Sequence, residues 1–119
     1  MSDTMSWNLR LRIADGKQDE ALALANDMSR ATLRDEPGTL IYEWFVSDDG
    51  THLQTYERFA DNDATLAHLG NFGANFAGRF MEVFSPVSLD VYGSASSEVR
   101  EGLAVLGATH LREVSGFAR

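Results

Sequence analysis

The sequence predicts an α+β domain: a four-stranded antiparallel sheet with helices packed on one face. Three observations predict it. Residues 7–13 alternate apolar and polar side chains. Residues 21–32 switch to helical spacing. Two further alternating segments flank an Asp-Asp-Gly turn at 48–50.

Taken in order, Trp7, Leu9, Leu11 and Ile13 point one way while Asn8, Arg10 and Arg12 point the other, which is a strand with one apolar face. Asp15-Gly16-Lys17 is a turn. Ala21, Leu24, Ala25, Met28, Ala31 and Thr32 then share a helical stripe, with Asp19 and Glu20 in the first turn, where the helix dipole favours acids. Glu36-Pro37-Gly38 ends this helix, because the residue before a proline avoids the helical region.

Leu40 to Val46 reads as a second strand. Leu40, Tyr42, Trp44 and Val46 are expected on one face, and Ile41, Glu43 and Phe45 on the other. Both faces carry large apolar groups, so something must cover the second one, and a partner subunit is the simplest candidate. After the hairpin, whose register the sequence leaves open, His52 to Phe59 is the returning strand.

Asp61 is a good N-cap for a helix beginning at Asn62 or Asp63. Ala64, Ala67, His68, Asn71 and Phe72 lie on one stripe of it, and Gly70 and Gly73 are expected to interrupt or bend it. Phe76, Phe80 and Phe84 recur every four residues in a further helical stretch that Ser85-Pro86 should stop. Val87, Leu89 and Val91 then alternate in a fourth strand. Beyond the linker at 93–97, Val99, Leu103 and Leu106 suggest a short helix capped by Ser96 or Ser97, and 109–114 a weak fifth strand.

The order is β-α-β-β-α-β, the ferredoxin-like split βαβ arrangement, over a core at 7–93 with an appendage at 94–119, all in one domain spanning 1–119. Its helices cover one sheet face, and the apolar second face of the Leu40 strand then argues for a homodimer joined sheet to sheet. The 119 residues suffice for one core and a modest pocket.

Charge and composition exclude several function classes. A net charge of −8 repels a phosphate backbone and an acidic membrane surface, so neither a nucleic acid nor a membrane is an expected partner. The absence of cysteine removes disulfides, thiolate metal sites and a cysteine nucleophile, and fits a reducing compartment. The N-terminus carries no signal-like apolar run and no segment is long enough to span a bilayer, so the cytoplasm is the expected location.

Chemistry is concentrated in two stretches, Glu36-Pro37-Gly38-Thr39-Leu40-Ile41-Tyr42-Glu43 and the run from Tyr56-Glu57-Arg58-Phe59 through Asp61 to His68. A Pro-Gly turn entering a Tyr-Glu strand, a next strand ending in acid-x-aromatic, and a helix bearing a histidine resemble the antibiotic biosynthesis monooxygenase family over residues 7 to 93. The resemblance implies a dimeric α+β barrel with a pocket between sheet and helices in each subunit. Some members oxidise electron-rich aromatics such as quinols and anthrones with molecular oxygen and no metal or flavin. Others degrade haem, isomerise small sugar-derived signals, or have no known substrate.

On that reading the chain is a monooxygenase with no cofactor, acting on a small aromatic substrate and oxygen. A phenol must lose a proton before it gives an electron to oxygen, and His68, with an ordinary pKa of about 6.5, is the candidate base or polar anchor. Asn71, one helical step away, is the candidate assistant. Phe72, Phe76 and Phe80 are candidate apolar walls, and Tyr42, Tyr56 and Trp44 candidate contacts from the strands. The competing readings are a core histidine, a plain phenylalanine core and ordinary strand tyrosines.

Glu43 and Glu57 are expected to be structural, paired with Arg10, Arg12 or Arg58. His52 beside Asp48 and Asp49 is a faint metal signal, and His110 carries no role. Haem-degrading relatives use an Asn, a Trp and a His together; here Asn8 lies opposite Trp7 and no helix carries a Trp, which argues against haem. The appendage is expected to cover the pocket or lengthen the dimer contact. Two rivals remain beside the monooxygenase: a non-catalytic binding or sensing module and a small-metabolite isomerase.

Overall fold

The structure is a computed structural model that describes residues 3–119. It builds the expected order: β1 (Met5–Ile13), α1 (Gln18–Asp35), β2 (Thr39–Val46), β3 (His52–Phe59), α2 (Asn62–Asn75), α3 (Ala77–Val83), β4 (Phe84–Tyr92) and α4 (Ser97–Leu103). A 3-10 turn over Ala104–Leu106 and a short β5 (Thr109–Leu111) complete it. The sheet runs β2-β3-β1-β4-β5. The first four strands pair antiparallel, and β5, the weak strand expected in the appendage, adds parallel to β4, so among the described residues the sheet is mixed and has five strands.

Alternation fixes β1. Met5, Trp7, Leu9, Leu11 and Ile13 are all buried, and the residues between them face the other way. They meet Ala21, Leu24 and Met28 from α1, with Phe59, Leu89 and Val91 alongside. Asp61 caps α2 by accepting from the backbone N–H of Ala64 at 2.8 Å. Gly38 has no room for a side chain, since a Cβ there would lie 2.6 Å from the Cβ of Ala64. The turn at 36–38 is thereby pressed directly onto the start of α2.

Four expectations are corrected. Leu40 does not share a face with Tyr42 and Trp44: the register slips between Thr39 and Ile41, and Leu40 is left exposed. Gly70 and Gly73 do not interrupt α2, which runs through both and gives way at Phe76, because helix hydrogen bonding tolerates an isolated glycine. Phe84 is a strand residue, and Pro86 sits inside β4 instead of preceding it. A register shift opposite, between Arg10 and Leu11, accommodates the proline's missing N–H. The fifth strand is three residues long, not six. Among the described residues, no helix is long and apolar enough to cross a membrane.

Candidate active site

The inward face of β3 reads Leu53, Thr55, Glu57, Phe59. Three of these suit a core; Glu57 does not, yet it is only 3% exposed. A carboxylate that deep requires partners. Thr55 donates its hydroxyl to Glu57 Oε2 at 2.7 Å, and is itself held by the backbone N–H of Leu9 at 3.3 Å. Glu57 Oε1 lies 3.1 Å from His68 Nε2 on α2. That contact is an ion pair off the hydrogen-bond line, and it leaves Oε1 among the buried polar atoms without a hydrogen-bond partner.

The other side of the His68 ring meets a second acid. Its Nδ1 is 2.7 Å from Glu36 Oε1. Glu36 is the residue at which α1 ends and the Pro37-Gly38 turn begins, so the turn aims it inward. Its carboxylate also accepts from Thr39 Oγ1 at 2.9 Å and from Asn71 Nδ2 at 3.3 Å. The imidazole is thus clamped between two buried carboxylates, with the rings of Phe59 and Tyr42 at 5.1 and 5.3 Å between centroids.

Electrostatics follow from this geometry. Burial by itself discourages charge on His68, but the close contacts with Glu36 and Glu57 and their negative charges outweigh it, and its pKa rises from 6.5 to about 9. Burial likewise opposes ionisation of Glu36, and its bonds to His68, Thr39 and Asn71 win, so its pKa is lowered. At neutral pH the ring is an imidazolium. Burial, then the nearby charge of Glu57, pushes the Tyr42 phenol far upward, so it stays neutral.

A cavity of about 750 Å³ opens between sheet and helices, with Glu57, His68, Thr55 and Tyr42 at its polar end. The remaining lining is overwhelmingly apolar, including Trp7, Trp44, Phe72 and Phe80. Trp44 also presents a buried indole N–H without a hydrogen-bond partner. The cavity therefore faces Glu57 Oε1, held in its ion pair with His68, and the buried indole N–H of Trp44.

Of the residues singled out from sequence, His68, Tyr42, Trp44, Phe72 and Phe80 line this cavity. Asn71 does not: it holds Glu36 and borders, with Phe76, a separate void of about 20 Å³. Tyr56 pairs across the strands with Asn8 and Glu43, on the sheet's outer face. Glu57, expected to pair with an arginine, pairs with His68 instead. Glu43 is exposed. His52 stays at the hairpin, its Nδ1 2.8 Å from Thr51 Oγ1. In the sequence Glu36 stands out as a helix end and as the first residue of the Pro-Gly turn motif, with no side-chain role attached. The signal for Glu57 was available: an acid in phase with Leu53, Thr55 and Phe59 is an acid on a buried face.

The family model for antibiotic biosynthesis monooxygenases matches residues 5–73. The chain belongs to this family. No curated protein matches it. Among solved structures, MupZ from Pseudomonas fluorescens superposes with a TM-score of 0.87 at 22% identity, covering 99% of this chain and 96% of that one. Rv0793 from Mycobacterium tuberculosis gives 0.67 at 24% identity, over 79% of this chain and 97% of that one. SnoaB from Streptomyces nogalater, a cofactor-independent oxygenase, gives 0.67 at 14% identity, over 81% and 97%. At these identities the likeness is one of fold. The matched stretch contains Glu36, Glu57 and His68 and ends before α3 and α4.

Proposed function

We propose that this chain is a cofactor-independent monooxygenase that uses molecular oxygen on a small electron-rich aromatic of the quinol or anthrone type, as a cytoplasmic homodimer. The observation that carries the reading is a buried carboxylate–imidazolium pair, Glu57 Oε1 set 3.1 Å from His68 Nε2, at the end of a large apolar cavity.

The roles differ from the simplest expectation. A histidine with a pKa of about 9 is already protonated at pH 7 and is a poor base there. Glu57 takes the proton from the substrate, and His68 stabilises the anion that results. The electron-rich carbon then transfers its electrons to oxygen and bonds to it. A proton from His68 reaches the peroxide; the now neutral His68 then takes the remaining C–H proton as the O–O bond breaks, and the departing hydroxide takes the proton held by Glu57 and leaves as water. For a ring CH2 the balance is CH2 plus O2 giving C=O plus H2O. One oxygen atom stays in the product and the substrate carbon is oxidised. The buried indole N–H of Trp44, on the cavity wall, supports a role in holding a substrate oxygen.

Support for the dimer comes from the outer sheet face, where Phe45 is 56% exposed. Support for the compartment is the lack of cysteine.

The test is oxygen uptake with a panel of anthrones and quinols. Wild-type protein should consume oxygen and place one labelled atom in the product. Glu57→Gln should slow this by about a hundredfold or more. Unchanged uptake in that variant removes Glu57 from the reaction, and saturable binding without any uptake leaves a binding module.

A second reading has its own support. An acceptor and a protonated donor facing one cavity are what a proton shift within a substrate needs. An isomerase would yield product of unchanged mass under argon.

A further inference from the structure

The proposed reaction occupies one end of the cavity and leaves the other end unexplained. Glu57 stands on β3. The sheet order places β1 next and β4 after it, so the far end lies two strand spacings away, roughly 10 Å. There the wall comes from outside the stretch that the family model matches: Gly102 and Leu103 of α4, then Val105 and Leu106 of the 3-10 turn.

This wall is fixed in place. Asn62 at the start of α2 donates to the Ser94 carbonyl at 3.1 Å and accepts from the Ser96 N–H at 2.8 Å. Ser96 caps α4 through the N–H of Val99 at 3.2 Å. Val99 and Leu103 are 0% and 1% exposed. Gly102 lets α4 sit close on α2, since a Cβ there would meet Leu69 at 3.1 Å. After the turn, Gly107 takes a positive φ of 67° and the chain enters β5, bound to β4. Anchored on both sides, the turn nonetheless presents Val105 at 88% exposure, on the cavity's rim beside Met81 at 64%. Apolar side chains left at the mouth of an apolar cavity are covered when an apolar guest arrives.

We propose that α4 and the 3-10 turn measure substrate length, selecting an uncharged, elongated aromatic that spans from Glu57 to Leu106, such as one of three or four fused rings, over a shorter one. The placement of the polar end rests on the function proposed above; the measuring role rests on this wall. Among the described residues, no cationic side chain other than His68 lines the cavity, which disfavours an acidic group on the guest's body.

The test is binding, without turnover, of 1-naphthol, 9-phenanthrol and 1-hydroxypyrene by calorimetry under argon. Wild-type protein should bind more tightly as ring number rises. Leu106→Trp should weaken 1-hydroxypyrene by about tenfold and leave 1-naphthol within about twofold. Val105→Trp changes a side chain that packs in no core, so it folds even if the Leu106 variant does not, and should weaken the same ligand preferentially. Equal losses for all three ligands, or none, overturn the proposal. Glu57→Gln separates the two readings: lost oxygen uptake with intact ring-number preference supports both. Lost uptake with no such preference in wild-type protein overturns only the length role. Failure of wild-type protein to bind any of the three overturns both.

Discussion

Glu36 Oε1 and His68 Nδ1 lie 2.7 Å apart although 32 residues separate them, and both residues are less than a tenth exposed. The pair joins the end of α1 to the middle of α2. With Glu57 it raises the pKa of the ring that faces the cavity, so it links fold stability to the charge at the site.

That link has a pH signature. The folded-state pKa of His68 is raised from 6.5 to about 9, so the stability its proton confers is fully present below pH 6.5 and is lost as pH rises through 9. The size is on the order of 3 kcal/mol, shared with Glu36 and Glu57 as a unit. The melting temperature should fall between pH 6.5 and 9.5 and flatten above. An imidazole resonance titrating near 6.5 by NMR would contradict this. Lowering of the Glu36 pKa adds a second limb: its contribution is present above about 4.5, the ordinary value, and disappears as pH falls through the folded value.

Glu36→Gln keeps the shape and removes the charge. The pKa of His68 should drop by about one to three units, and any activity requiring its proton should lose its alkaline limb at correspondingly lower pH. Glu36→Ala leaves His68, Thr39 and Asn71 without their shared acceptor and should cost about 3–5 kcal/mol in urea unfolding. Equal pH profiles for wild type and Glu36→Gln would show that Glu36 acts on structure alone.

Gly38→Ala should destabilise by about 1–3 kcal/mol, because its new methyl would fall 2.6 Å from the Ala64 Cβ. Ala64→Gly opens that space. A double-mutant cycle should then give a favourable coupling of about 1 kcal/mol or more between the two sites. Additive effects would mean that the turn can retreat freely from α2.

Phe45→Lys tests the outer face. Wild-type protein should run at twice 13.1 kDa by light scattering, and the variant at that mass once, with the melting curve of the separated subunit. A wild-type monomer would dispose of the dimer.

Periodicity was enough to place most of the elements. The strands at 7–13 and 52–59, the long helix ended by Glu36-Pro37, and the Asp61 cap all declare themselves through neighbours a few positions away. The slip at Leu40 and the proline inside β4 were not readable, because each depends on what the adjacent strand does opposite it.

The site divides along the same line. Sequence by itself marked His68 as inward and polar, and identified the turn and strands around it, since a helical stripe and a short motif are local facts. Only the tertiary structure decided that two carboxylates raise the pKa of His68, that Glu57 faces the cavity beside it, and that Asn71 and Tyr56 stand away from the cavity. Charge on a buried ring is set by groups brought within about 3 Å, and those come from α1 and β3, distant in the chain and adjacent only once the sheet is closed over by its helices.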